Sequence, residues 1–232
     1  SKEDELRKVL ETLERLAREL EELNKKILDD LKKLIEELRR HTEEVMRRLK
    51  ELADELRKKP TSEDLERILR RLEELLEEHK DDLEKITETL ERLVKKHNDL
   101  NKEVLDKLRR LLEKAKKDRT GREVLKELDE IIKEWRRLLE ESIRELREII
   151  KEIKKRLDDS IRKFEKMVED VERSGAGEEV VRVLEELLRL VRDNVRRLDE
   201  ILKELLRLVE ESVRTAEEIL KELLRLIKEL AR

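Results

Sequence analysis

The sequence predicts an all-α protein, a single-chain antiparallel up-down-up-down four-helix bundle of long, nearly straight helices. Three observations predict it. Asp, Glu, Lys and Arg make up 53% of the 232 residues, and the apolar remainder is mainly Leu, Ile and Val, a helix former's composition. Gly occurs three times and Pro once, too few turn residues for a sheet protein of this length. Apolar residues also recur at an 18-residue interval in every segment.

Three stretches break the pattern: 59–62, 118–121 and 174–177. Pro60 lacks an amide proton and disfavours helical geometry at Lys59, while Thr61 or Ser62 can cap the next helix, Thr61 with Asp64 three residues on. Thr120 and Glu123 have the spacing of a capping box. Gly175 can adopt the left-handed conformation that closes a helix, and Glu178 and Glu179 place negative charge at the positive end of the next dipole. The breaks cut the chain into helices at about 2–58, 62–117, 121–173 and 178–231, each about 80 Å long at 1.5 Å per residue. Joints this short force consecutive helices to run antiparallel, so residues 1–232 are expected to form one domain.

The interval itself carries information. In the fourth helix the stretches Val183–Val191, Ile201–Val209 and Ile219–Ile227 repeat one pattern. Eighteen residues make five turns at 3.6 residues each, so the apolar stripe returns to one face without supercoiling, whereas a heptad repeat would impose a left-handed twist. The first helix repeats it in Val9, Ile27 and Val45, in Leu13, Leu31 and Leu49, and in Leu16, Leu34 and Leu52. Leu72, Leu90 and Leu108 do so in the second, and Leu128, Leu146 and Phe164 in the third. Leu188, Leu206 and Leu224 widen the stripe of the fourth helix. They pack more deeply or lie under neighbouring long side chains, or they form a flank for a second chain.

Polar residues interrupt these columns. Asn24 and Thr42 stand in the column of Leu6, and His41 in that of Leu23. His79 and His97 share the column of Ala115, and Asn101 that of Leu65 and Leu83. Ser142 and Ser160 align with Val124, and Asn194 and Ser212 with Leu230. Residues equidistant from a joint lie side by side in an antiparallel hairpin, so two layers are expected. One is Asn24, His97, Ser142 and Ser212, with Asn101 beside it. The other is His41, Thr42, His79, Ser160 and Asn194. An unpartnered buried polar group costs roughly 1 to 3 kcal/mol, so clustering lets these groups satisfy one another and penalises any shifted register.

Chemistry at these residues has weak support in the sequence. Di-metal bundle sites use Glu-x-x-His, but Leu38, Leu76 and Val94 stand three residues before His41, His79 and His97. His79 and His97 lie about 27 Å apart along the axis at the helical rise and cannot share an ion. His41 with His79 offers two imidazoles and no carboxylate or thiolate, a weak site. Ser160 and His79 fall level with each other, yet no acid interrupts the stripe to complete a triad. No catalytic, metal or cofactor residue is therefore assigned, and no enzyme activity is expected. A buried His that accepts a hydrogen bond resists protonation, so the layers are expected to be acid-sensitive. Trp135 aligns with Ile153 and Val171 and is read as a core filler.

Composition bears on partners and location. The 60 basic and 64 acidic residues, net charge -4, alternate along every helix as a solvated surface, with no nucleic-acid footprint. No apolar run spans a membrane, the charged start is no targeting signal, and a lipid-bound amphipathic protein would leave the polar layers unpaired. There is no Cys, hence no disulfide or thiolate chemistry. The absence of Met before Ser1 is read as the scar of a removed tag, which fits a soluble chain expressed recombinantly in the cytoplasm.

The 18-residue repeat of Ile201–Val209 and Ile219–Ile227, the Asn, His, Ser and Thr layers and the short joints together resemble de novo designed helical bundles with modular buried hydrogen-bond networks. The resemblance covers the whole chain. It implies a structural scaffold with no natural activity, in which the layers specify helix register and no small-molecule substrate or partner is required. The alternative that the same family implies is an interaction module or switchable bundle, in which a helix or hairpin pairs with a designed helical partner or a second copy through Leu188, Leu206 and Leu224.

Overall fold

The computed structural model describes residues 2–59, 62–117 and 121–230. Four helices account for nearly all of them: α1 (Lys2–Arg57), α2 (Glu63–Lys117), α3 (Gly121–Arg173) and α4 (Glu178–Leu230), with no strand among the described residues. The chain is an antiparallel four-helix bundle, and each helix begins and ends within one or two residues of its expected place.

Local chemistry accounts for the ends that are described. Ser62 Oγ accepts the Leu65 amide at 3.2 Å and the Ser62 carbonyl accepts the Glu66 amide at 3.0 Å, so Ser62 is the N-cap of α2. Gly175 closes α3 with φ of 73°, while Ser174 donates through its amide to Asp170 O and through Oγ to Val171 O. Gly177 O then accepts the amides of Val180 and Val181, opening α4 with Glu178 and Glu179 in its first turn. Pro60, Thr61 and Thr120 lie outside the described residues, so neither the Thr61–Asp64 cap nor the Thr120–Glu123 box is placed. The side chains of Leu6, Val9, Ile227 and Leu230 lie outside them too.

Contacts divide the chain into two compact units, one of residues 1–32, 92–147 and 205–232 and the other of 33–91 and 148–204. Each draws a segment from all four helices. The core of the first gathers Leu13, Leu16 and Leu20 with Leu108, Leu128, Trp135, Ala216 and Leu220. In the second, Leu49 and Leu56 meet Leu72, Leu75, Phe164, Val171, Leu184 and Leu187. Most predicted columns are buried at each repeat, among them Leu13, Leu31 and Leu49, and Leu72, Leu90 and Leu108. Leu34, Leu52 and Ile219 are half-buried.

The 18-residue interval also governs charges that the apolar pattern did not address. Between α1 and α2 the pairs are Glu21–Arg109, Arg39–Glu91 and Arg57–Glu73, 18 residues up one helix for each 18 down the other. Between α2 and α3 they are Lys114–Glu127 at 2.8 Å, Lys96–Glu145 at 3.0 Å and Glu78–Lys163 at 3.2 Å. Arg147–Glu210 and Glu165–Arg192, at 2.6 and 2.9 Å, continue the series between α3 and α4. Arg197 pairs with Glu37 and Lys59 with Glu179 in the second unit, making α4 and α1 neighbours there. In that unit α2 and α4 therefore stand diagonally across the core. These pairs are largely solvated and each contributes at most about 1 kcal/mol, so they record the register more than they enforce it.

Candidate functional site

The second unit contains a polar layer centred on His79. Its imidazole is fully buried and bonded on both nitrogens: Asn194 Nδ2 lies 3.0 Å from Nε2, and Ser160 Oγ lies 3.1 Å from Nδ1. With the amide donating to Nε2, Nδ1 carries the ring proton and donates to Ser160. Three helices are thereby joined, α2 to its neighbour α3 and to α4 across the diagonal. One turn beyond Ser160, the Phe164 ring stands edge-on to the imidazole, with centroids 6.0 Å apart and planes at 88°. That contact fixes the one rotation the two hydrogen bonds leave soft.

The structure places the other predicted members of this layer less completely. His41 and Thr42 are half-buried, and neither His41 Nε2 nor Thr42 Oγ1 has a hydrogen-bond partner. Asn194 Oδ1, within a side chain that is fully buried, is also unpartnered. His41 and His79 thus do not bond to each other: both ring nitrogens of His79 are taken, by Ser160 and Asn194.

In the first unit the expected four-helix layer is replaced by a bond within one helix. His97 Nε2 is 3.2 Å from Asn101 Nδ2, one turn further along α2. Among the described residues no hydrogen bond joins that pair to Asn24, Ser142 or Ser212. Ser212 is buried, Asn24 and Ser142 half-buried, and Asn24 Oδ1 and His97 Nδ1 have no partner. The physical reason is spacing: side chains four residues apart on a helix are already neighbours, so Asn101 reaches the imidazole before a group on another helix can.

Thr87 is a buried polar residue that the column reading passed over. It stands 18 residues from both Leu69 and Leu105, which are buried, so the signal was present. Its hydroxyl donates at 3.0 Å to Leu83 O on its own helix, a local arrangement that needs no partner from elsewhere. Trp135 is 1% exposed within the core of the first unit, as expected of a core filler, and its indole Nε1 is an orphaned buried donor there. Leu188 is buried and packs with Leu184, Leu187 and Val191, while Leu206 and Leu224 are half-buried. No large hydrophobic is exposed among the described residues, which agrees with the deeper-packing reading of this flank.

Burial sets the electrostatics. It lowers the pKa of both His79 and His97 to about 4, because an imidazolium loses its hydration in the core. His41 is also lowered, by burial first, with Glu44 and Asn194 acting in the opposite direction. Chemically, the Ser160–His79 pair has an amide where a catalytic triad has a carboxylate, and both side chains are buried. Among the described residues no group of three or more His, Asp or Glu is placed to hold a metal ion, and no helix is long and apolar enough to cross a membrane. Compared with protein-family models and with curated proteins, the chain matches none.

Proposed function

We propose that the chain is a designed helical scaffold whose polar layer at His79 selects one helix register. The observation that carries this reading is a fully buried imidazole bonded on one side to Ser160 of α3 and on the other to Asn194 of α4. Leu, Ile and Val columns that repeat along every helix tolerate a displacement by one turn, since one aliphatic side chain replaces another. Short joints forbid long slips but leave a slip of one turn, about 5 Å, within reach. Such a slip would put His79 against apolar side chains and strand two ring nitrogens, the Ser160 hydroxyl and the Asn194 amide. At about 1 to 3 kcal/mol for each orphaned group, the layer outweighs the indifference of the aliphatic core. The scaffold needs no cofactor and no partner, and Ser160 and His79 serve as structural groups without a catalytic role.

The test is the triple variant H79L/S160A/N194L in the full chain. Replacing all three bonded members by apolar groups orphans no group that the parent chain satisfies, so thermal stability is expected to hold or rise. Loss of register selection is expected to appear as more than one set of amide resonances, or as broadened ones. A single sharp set, like the one expected of the parent chain, would overturn the reading.

A further inference from the structure

The His79 and His97 layers are built on one frame of flanking ion pairs. In the second unit Glu78 stands one residue before His79 and Lys163 three after Ser160, and that pair meets at 3.2 Å. In the first unit Lys96 stands one residue before His97 and Glu145 three after Ser142, and that pair meets at 3.0 Å. Between α3 and α4 the ruler of the second unit is Glu165–Arg192 at 2.9 Å, five residues after Ser160 and two before Asn194. Arg147–Glu210 at 2.6 Å has the same offsets from Ser142 and Ser212 in the first. Within its own unit, therefore, Ser142 stands to His97 as Ser160 stands to His79, and Ser212 takes the place of Asn194.

The bonds made within that frame differ. His79 is bonded to α3 at 3.1 Å and to α4 at 3.0 Å. His97 is equally a buried ring, yet it is bonded to Asn101 of its own helix at 3.2 Å and its Nδ1 is orphaned. Two differences within the frame account for this. Where the first unit has Asn101, the second has the buried Leu83, which offers no hydrogen bond. Where Asn194 extends an amide, the buried Ser212 carries its hydroxyl on Cβ, one bond short of an amide nitrogen. Asn101 lies one turn along the helix and reaches the ring whatever stands on α4. With Nε2 given to Asn101, Nδ1 makes no bond to Ser142, although Ser142 stands level with it.

We infer that Asn101 and Ser212 are the specificity-determining pair that confines His97 to its own helix and leaves helix register to the His79 layer alone. The inference rests on the register-selection reading above, since a layer selects register only where its bonds run between helices. The His97–Asn101 bond moves with α2 and survives any displacement of that helix, so it discriminates against no register. The first unit thus holds a latent copy of the second unit's layer, kept open by one competing amide and one short side chain. Helices α2, α3 and α4 each contribute to both units, so completing the copy would add a second selection of the same register.

The variant N101L/S212N in the full chain tests this. It gives the first unit the residues that the second carries at the same places in the frame, Leu83 and Asn194. Its crystal structure is expected to show the introduced amide about 3 Å from His97 Nε2 and Ser142 Oγ about 3 Å from Nδ1. A folded variant in which either bond is missing overturns the inference. Of the single variants, S212N is expected to keep the His97–Asn101 bond and N101L to leave Nε2 without a bond to α4. Either of them making both cross-helix bonds overturns the inference too, because one position would then suffice. Register is read by adding N101L/S212N to H79L/S160A/N194L, which is expected to return several sets of amide resonances to one; persistence of several sets overturns the inference. If H79L/S160A/N194L alone gives one set, register selection has failed, and the crystal structure by itself decides whether Asn101 and Ser212 confine His97.

Discussion

Phe164 holds the His79 imidazole edge-on, with ring centroids 6.0 Å apart and planes at 88°. Both side chains are fully buried, so the apolar core and the polar layer share a wall. Truncation of Phe164 to Ala removes a large core side chain and is expected to cost about 3 to 5 kcal/mol in chemical denaturation. Phe164→Leu keeps most of the volume and is expected to cost less than about 1.5 kcal/mol. It also removes the ring edge, so the His79 ring resonances should broaden while the fold persists.

Acid is expected to destabilise the chain through its buried imidazoles. The folded-state pKa of His79 and of His97 is about 4, below the ordinary value near 6.5. A depressed pKa means that the unfolded chain binds the proton first. Stability is therefore fully present above about pH 6.5 and is lost as pH falls towards about 4. At one pKa unit per 1.36 kcal/mol, each ring accounts for roughly 3 kcal/mol once pH is below 4. Melts at pH 7 and pH 4.5 should show a fall in midpoint, and a smaller fall in His79→Asn, which removes one of the two rings. An identical fall in parent and variant would show that His79 contributes nothing to it and leave the effect to His97 and the surface carboxylates.

At the start of α2, Ser62 Oγ satisfies the Leu65 amide at 3.2 Å. Ser62→Ala should lower unfolding free energy by about 0.5 to 2 kcal/mol, and Ser62→Asp should restore it, since either oxygen can accept that amide and a carboxylate also suits the helix dipole. Denaturant titration with an unchanged m-value would confirm that only the cap was altered.

Gly175 has φ of 73°, and a Cβ built there meets nothing within 4 Å. Any penalty for Gly175→Ala is therefore conformational rather than steric against a neighbour. It is expected to be about 1 to 2 kcal/mol, with Gly175→Asn costing less because Asn tolerates the left-handed region. Equal losses for both, measured by denaturation, would contradict this account.

Leu188 is 8% exposed and belongs to the core of its unit. Leu188→Ala is expected to cost about 2 to 5 kcal/mol while leaving the mass measured by light scattering unchanged across concentrations. A change of mass with little loss of stability would favour the flank reading over the packing one.

Much of the polar layer could be read before any coordinates. His79 and Ser160 stand equidistant from the joint at 118–121, so an antiparallel α2–α3 hairpin brings them level, and they meet at 3.1 Å. The link from His79 to Asn194 is less legible, because folding at the joint 174–177 brings Asn194 to within about a turn of Ser160 on the adjacent helix and says nothing of a bond across the diagonal. Only the diagonal placement of α2 and α4 let the longer imidazole take the amide instead. At His97 the same column logic pointed across the bundle, but Asn101, four residues along α2, took the ring nitrogen.

What the sequence determined by itself is what depends on local and periodic chemistry: the number of helices, their ends to within one or two residues, and the columns that face inward. Capping hydroxyls, a left-handed Gly and an 18-residue repeat act through neighbours along the chain and are visible there. The tertiary structure decided which buried donor meets which acceptor. A hydrogen bond fails beyond about 3.5 Å, whereas column arithmetic advances in steps of about 1.5 Å along each helix and carries no information about reach across the core. Side-chain length and helix placement settle that difference, and they assigned His79 to Asn194.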